Sequence, residues 1–290
     1  FDAKHRGQKH VCLGFEKLGR SLYEFIKKNK YRGFSLENVR RFGHQLVNSV
    51  AFCHSINLVH TDLKPENILL CDDAYELHER VSDGEADYRV PLRTDIRLID
   101  FGGATFEKDH HSRIINTRQY RSPEVLLGLG WSYPSDLWSV GCILAELVTG
   151  ELLFATHEDL EHLALMEKML GQPLPGSMTR EALRLYPPKR SRSHSSKSRS
   201  RSRAKSKEKK RARSSSNPRP DLLLHHETAR LRWPDAASSR QSVKHVNKAK
   251  TLEALFPDSA FVDLLRKCLV YDTKERITAA EALKHPFFTG

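Results

Sequence analysis

The sequence contains few cysteines, and their spacing matches no common metal or disulfide pattern. Its five cysteines lie far apart, and no two of them form a Cys-x-x-Cys pair. Structural zinc sites and disulfide-rich secreted domains both need closely spaced cysteines. We therefore interpret these residues as small core side chains of a protein in a reducing compartment.

Long apolar runs are also missing. The longest one, residues 137–155, is interrupted by Glu146 and Glu151, whereas a membrane-spanning helix needs about 20 predominantly apolar residues. The sequence begins without Met and without a signal peptide, so we expect it to start inside a domain. A hydrophobic fraction of 39% in 290 residues is nevertheless enough for a sizeable globular core.

Excess charge is absent from most of the chain, although the formal net charge is +12. Of the 48 Lys and Arg residues, 13 lie between Lys189 and Arg213, together with one of the 36 acidic residues. The remainder therefore has 35 basic and 35 acidic residues and is neutral. The basic character belongs to one Arg/Ser-rich segment, in which burial cannot offset the entropy cost of ordering. We predict a disordered insertion there, at about 188–220.

Apolar periodicity predicts a mainly helical chain with a few short strands. Ser35 is a predicted N-cap of a long helix, because apolar residues recur every three or four positions after it. Gly150 and Gly171 stand where helix C-caps are expected. Other helices are predicted at 22–30, 136–149, 160–170, 259–270 and 279–283. Short strands are predicted at 10–15, 58–60, 68–70 and 96–99, with a loop through 83–84.

Two polar motifs in a fixed order carry the strongest chemical signal. The run 60–67, His-Thr-Asp-Leu-Lys-Pro-Glu-Asn, is followed at 100–102 by Asp-Phe-Gly. Phosphoryl transfer needs a carboxylate at the attacking hydroxyl and oxygen ligands for Mg2+ at the phosphates. Asp62, Asn67 and Asp100 can supply these groups if the two loops meet. Because either motif alone also fits an ordinary turn, the evidence is their combination and spacing.

These motifs resemble the catalytic loop and the DFG motif of eukaryotic protein kinases. Ser122-Pro123-Glu124 resembles the Ala-Pro-Glu that closes the kinase activation segment, here residues 100–124. The resemblance implies that Glu124 pairs with a late arginine, Arg276. It also implies that Asp136, at the start of a buried central helix, holds the backbone of the catalytic loop.

The resemblance further implies a site for ATP and Mg2+. Its catalytic residues would be Asp62, Lys64 and Thr117, and its metal ligands Asn67 and Asp100. Residues 15–19, Phe-Glu-Lys-Leu-Gly, resemble the hinge that meets adenine. The adenine-binding residues would be Glu16, Leu18 and Leu69.

Residues 161–171, EHLALMEKMLG, resemble the EHLAMMERILG signature of LAMMER-type kinases in the CMGC group at eight of eleven positions. An amphipathic helix of this kind could equally be ordinary core packing, so its place after the central helix carries the resemblance. The threonine at position 61 is a further similarity to this family, because other kinases commonly have Arg at this position. That Arg clamps a phosphorylated activation segment. Because Thr61 cannot do so, we expect such activation to be unnecessary.

The sequence lacks the GxGxxG loop, the phosphate-anchoring Lys and the helix-C Glu of a complete kinase. We therefore expect an α+β protein kinase-like fold that is mainly the α-helical C-lobe with a remnant of the N-lobe β-sheet. Residues 1–15 would be this remnant, 16–20 the hinge and 21–290 the C-lobe. Alone, the chain is expected to bind ATP poorly and to be weakly active or inactive.

The resemblance implies a monomeric, nuclear and also cytoplasmic kinase, without membrane contact, that phosphorylates Ser, Thr and Tyr of Arg/Ser-rich splicing factors and so regulates mRNA processing. The insertion could be a nuclear-localisation or weak RNA-binding patch, a self-substrate, or a solvated expansion. The alternative is a non-catalytic pseudokinase scaffold that binds splicing factors or RNA through the insertion. Joint retention of the four polar residues Asp62, Lys64, Asn67 and Asp100 favours the enzyme.

Overall fold

The computed structural model of the chain describes residues 1–78, 88–187 and 219–290. The helices in these ranges are α1 Leu22–Lys28, α2 Leu36–Ser55, α3 Pro123–Leu126, α4 Tyr133–Thr149, α5 Asp159–Leu170, α6 Gly176–Leu185, α7 Pro220–Leu223, α8 Arg240–Lys248, α9 Leu252–Leu255, α10 Ser259–Cys268, α11 Ala279–Ala282 and α12 Pro286–Thr289. The strands are β1 Asp2–His5, β2 Gln8–Val11, β3 Leu58–Val59, β4 Ile68–Leu70, β5 Tyr75–His78, β6 Tyr88–Pro91, β7 Ile96–Leu98 and β8 Thr105–Phe106.

The predicted loop at 83–84 and nearly all of the predicted Arg/Ser insertion lie outside the described residues. Only the last two residues of the insertion range are described, and Pro220 there begins α7. Within the three described ranges, none of the helices combines the length and apolar character needed to cross a membrane.

Helix α4 is the centre of the core. It is apolar around almost its whole circumference, which predicts burial on all sides, and α2 and α10 pack against it. Trp138 of α4 is fully buried, and its ring stacks against Phe154 and Tyr271 with centroid distances of 6.0 and 6.2 Å. The helix begins three residues earlier than predicted, because Pro134 is compatible with the first helical turn.

The predicted helix caps are confirmed. The Ser35 side chain accepts a hydrogen bond from Asn38 N at 3.3 Å and so begins α2. Gly150 and Gly171 end α4 and α5 in the left-handed conformation, with φ of 79° and 70°. Helices α6 and α8 were missed because they are short, with ten and nine residues, and mostly polar, so each offers only a few apolar positions from which to recognise a helical period.

Two short antiparallel ladders position the polar motifs. Strand β4 pairs with β7, with Ile68 opposite Leu98, and β3 pairs with β8. Asn67 directly precedes β4, and Asp100 lies two residues after β7. Since the strands run in opposite directions, these two residues lie at the same end of the ladder.

The predicted buried strand at 10–15 is wrong. The structure has β2 at Gln8–Val11 instead, and all four of its residues are exposed. Val11, Leu13 and Phe15 are 82%, 76% and 84% exposed. Among the described strands, β1 and β2 pair only with each other, and the three apolar side chains are not covered by other parts of the described chain. The assignment of residues 1–15 to an N-lobe stays a prediction.

Candidate active site

The backbone of the catalytic loop is fixed by a buried carboxylate of the central helix. His60 N donates to Asp136 Oδ2 at 2.9 Å, and Thr61 N donates to Asp136 Oδ1 at 3.1 Å. Asp136 is fully buried, where a charge must be offset by hydrogen bonds. These bonds agree with the role that the resemblance implied for Asp136. They also start the loop in the orientation that carries Asp62.

Asp62 lies at the centre of a small network. Lys64 Nζ donates to Asp62 Oδ2 at 2.5 Å, while Asp62 Oδ1 accepts from Thr117 N at 3.0 Å and from Thr117 Oγ1 at 2.8 Å. Lys64 Nζ also donates to Thr117 Oγ1 at 3.2 Å. The structure therefore brings together the three residues predicted to be catalytic, although Thr117 is 55 residues away in sequence.

The network keeps Asp62 ionised. Partial burial by itself raises the pKa of the Asp62 carboxyl, but the hydrogen bonds from Lys64 and Thr117 outweigh burial and lower this pKa below its usual value. Donors to the charged form stabilise that form. A half-buried carboxylate that is charged at neutral pH can orient and accept a hydroxyl proton.

The two predicted metal ligands lie on adjoining backbone. Ile99 N donates to Asn67 O at 2.9 Å, which ties the residue before Asp100 to Asn67. Asn67 Nδ2 donates to the Asp62 carbonyl at 2.9 Å, and this leaves Oδ1 of the amide without a hydrogen bond in the described structure. The Asp100 carboxylate is exposed and accepts only a long bond, 3.4 Å, from Gly102 N. An amide oxygen and a carboxylate are ligands that suit Mg2+.

The residues predicted to bind adenine are only partly assembled. A cleft of about 810 Å³ is lined by Leu69 together with Gly19, Tyr23 and Glu66, among others. Gly19 N donates to Leu70 O at 2.8 Å, so this part of the chain is fixed against β4. By contrast, Glu16 and Leu18 lie in the irregular segment 12–20 and do not line the cleft.

The activation segment is anchored at both ends. Near its start, Thr61 Oγ1 donates to Gly103 O at 2.8 Å. At its end, Arg276 Nη1 and Nη2 donate to Glu124 Oε1 and Oε2 at 2.7 and 2.9 Å. The implied pairing of Glu124 with Arg276 is thus confirmed.

His54 is a residue of the site that sequence reasoning missed. It lies at the end of α2, and its Nε2 is 3.0 Å from Asp136 Oδ2, the oxygen that also accepts from His60 N. The side chain thereby completes the support of the catalytic loop. Since 82 residues separate the pair, no local spacing points to it.

A carboxylate held by a lysine and a threonine, with an amide and a second carboxylate on adjoining backbone, resembles the arrangement that phosphotransferases use. The family model described as "Protein kinase domain" matches residues 3–288. The chain belongs to the protein kinase family. The relatives that the chain matches at 41–46% identity include LAMMER-type kinases of the CMGC group.

Several similar proteins are also protein kinases. Serine/threonine-protein kinase AFC1 of Arabidopsis thaliana is 44% identical over 97% of this chain and 55% of its own length. AFC3 of the same plant is 46% identical over 96% and 63%. Dual specificity protein kinase lkh1 of Schizosaccharomyces pombe is 41% identical over 97% and 36%. The chain therefore spans between about one third and two thirds of the length of these relatives.

A solved structure supports the fold as well. A crystallised kinase domain with 40% sequence identity superposes with a TM-score of 0.76, covering 93% of this chain and 71% of the other. Protein kinases use ATP and a divalent metal, usually Mg2+. The oxygen ligands of Asn67 and Asp100 fit such a metal.

Proposed function

We propose that the protein that contains this chain transfers the γ-phosphate of ATP to Ser, Thr and Tyr of Arg/Ser-rich splicing factors in the nucleus and so regulates mRNA processing. The observation that carries the phosphotransferase part is the joint contact of Lys64 and Thr117 with Asp62. A scaffold that only binds partners needs none of these contacts. The substrate class rests on the resemblance to LAMMER-type kinases.

Each residue of the site has a separate role in the proposed phosphoryl transfer. Asp62, kept charged by its donors, orients the substrate hydroxyl and accepts its proton. Lys64 lies between Asp62 and Thr117 and can steady the transferred group with its charge. Asn67 and Asp100 would hold Mg2+, which when bound neutralises the charge that develops on the phosphates.

The decisive experiment substitutes a metal ligand. In the full-length protein, Asp100→Ala is expected to lower transfer of radiolabelled phosphate to an Arg/Ser peptide by about 100-fold or more, because electrostatic stabilisation supplies most of the rate. Asp109→Ala is the matched control, since Asp109 is an exposed residue of the same segment. Equal rates for Asp100→Ala and the parent would refute the function. An Arg/Ser peptide that is no better than a Lys/Ser peptide would refute the substrate class.

We also propose that the 290-residue chain alone transfers phosphate slowly. Its sequence contains no Gly-rich loop and no phosphate-anchoring Lys. Two phenylalanines that flank the cleft residues in sequence, Phe15 and Phe101, are 84% and 45% exposed in the described structure. Calorimetric titration with Mg-ATP should show no binding below millimolar concentration, and micromolar affinity would contradict this proposal.

The Arg/Ser insertion is proposed to contact RNA weakly and to direct the protein to the nucleus. Six of its serines adjoin an arginine, and each phosphate would add about −1.5 to −2 charge. Full modification would therefore nearly cancel the +12 of residues 189–213. RNA affinity should fall with salt and with prior incubation in ATP. Deletion of 189–216 that changes neither affinity nor salt dependence would exclude this role.

A further inference from the structure

Two aromatic rings join the middle of the activation segment to the loop before α4. The imidazole of His111 stacks on the indole of Trp131, with ring centroids 4.1 Å apart and an interplanar angle of 8°. Trp131 Nε1 donates to the carbonyl of the next residue, Ser112, at 2.7 Å. The indole is only 8% exposed. One side chain thus contacts two consecutive residues of the segment.

Trp131 also belongs to a small apolar cluster that is separate from the main core. Its other buried members are Val59, Ile115 and Val125. Val59 directly precedes the catalytic loop, Ile115 lies in the activation segment, and Val125 follows Glu124. The cluster therefore packs the segment against the strand that leads into the catalytic loop.

Hydrogen bonds connect the next residues of the activation segment to the catalytic loop and to the Asp62 carboxylate. After Ile115, Asn116 N donates to Thr61 O at 2.9 Å. The next residue, Thr117, donates to Asp62 through both N and Oγ1. Residues 111–115 therefore lead directly into the two residues that contact the catalytic loop, Asn116 and Thr117.

In kinases with Arg in place of Thr61, a phosphorylated residue and that Arg can fix this segment. Here Thr61 is 3% exposed, and its hydroxyl is used by Gly103 O. The structure thus holds the same stretch of chain by ring stacking, one indole N–H bond and a small apolar cluster.

We propose that Trp131 and His111 are positioning residues for phosphoryl transfer, because they hold the activation segment so that Thr117 meets Asp62 without a phosphate. This inference rests on the proposed kinase function. Neither residue touches the carboxylate, and both act through Thr117.

The test uses the full-length kinase and four variants. Trp131→Phe keeps an aromatic ring and removes the N–H donor to Ser112 O. His111→Ala removes the stacking partner. Each is expected to lower kcat about three- to tenfold, as loss of one stacking or hydrogen-bond contact would, with KM for ATP unchanged. His111→Phe restores stacking and should recover most of kcat. Trp131→Ala should be the most severe.

A structural readout separates positioning from general damage. Hydrogen exchange in peptides covering 104–121 should quicken in Trp131→Phe and His111→Ala, and return towards the parent rate in His111→Phe. Trp233→Phe is the matched control, since Trp233 is partly buried outside the activation segment. Phosphatase treatment of the parent should leave kcat unchanged.

The outcomes are distinguishable. The inference would be overturned if both Trp131→Phe and His111→Ala kept the hydrogen-exchange rates and the kcat of the parent. It would also be overturned if exchange became faster while kcat stayed unchanged, or if phosphatase treatment lowered the kcat of the parent. Should Trp131→Ala not fold, the two milder variants still decide. If exchange follows the expected order but the parent itself transfers no phosphate, the positioning of the segment is supported and the proposed function fails.

Discussion

Arg276 forms a buried bidentate ion pair with Glu124, although 152 residues separate the two in sequence. Both side chains are almost completely inaccessible, at 0% and 3%. Arg276 also donates to the carbonyls of Pro134 and Val270 at 2.8 and 2.9 Å. The guanidinium thus fastens the end of the activation segment to the start of α4 and to the chain after α10.

Breaking this pair should be strongly destabilising. Arg276→Met leaves the Glu124 carboxylate buried without its partner, which costs about 3–5 kcal/mol. Urea unfolding measures the change, and Arg184→Met is the control, because the Arg184–Glu181 pair is exposed and contributes little. The double variant Glu124→Gln/Arg276→Met should recover part of the loss. A stability of Arg276→Met within about 1 kcal/mol of the parent would contradict the prediction.

Glu146 should make folding stability fall as pH rises. Burial raises its pKa to about 7 even though Tyr120 OH donates to Glu146 Oε2 at 2.6 Å. The folded state therefore holds a proton between pH 4.5 and about 7 that the unfolded state releases. By linkage the cost above that range is about 3 kcal/mol. Glu146→Gln keeps an acceptor for Tyr120 and should remove this slope. An unchanged slope in urea unfolding from pH 4.5 to 7.5 would exclude the effect.

His162 should have the opposite pH dependence. Burial and the nearby Arg121 and Arg118 lower its pKa to about 3. Between pH 3 and 6.5 the unfolded chain binds a proton that the folded chain refuses, so stability is lost as pH falls through this range. Both ring nitrogens are buried without a hydrogen-bond partner in the described structure. His162→Leu should therefore be at least as stable at pH 7 and less sensitive to acid, and a variant with the parent's acid sensitivity would contradict this.

Thr117 should control catalysis through its hydroxyl. Thr117→Val keeps the backbone donor to Asp62 but removes the 2.8 Å bond from Oγ1. A group that orients a catalytic carboxylate is worth roughly one charge-assisted hydrogen bond, so kcat should fall about 10- to 100-fold. Thr117→Ser restores the donor and should recover most of the rate. Equal kcat for the Val and Ser variants would show that the hydroxyl has no such role.

Local sequence rules accounted for the helices of the core, and the resemblance to protein kinases accounted for the residues around Asp62. Ser35, Gly150 and Gly171 act within a few residues of themselves, through capping bonds and left-handed turns, so their effects could be predicted. The failure at residues 10–15 had a non-local cause. Residues 10–15 are apolar enough for a buried strand, yet burial requires a covering layer that a segment cannot specify by itself.

The sequence alone determined the chemistry that is available: a carboxylate, a lysine, an amide and a second carboxylate in the order of a kinase. The tertiary structure decided which of these groups meet. It placed Thr117 on Asp62 and Leu69 in the cleft, left Glu16 and Leu18 outside it, and stacked His111 on Trp131. Such contacts join residues tens of positions apart, and their formation depends on how the helices and ladders pack. Local side-chain and backbone preferences extend over only a few residues and do not specify that packing. Where a distant contact was expected, as between Glu124 and Arg276, the expectation came from the resemblance to protein kinases.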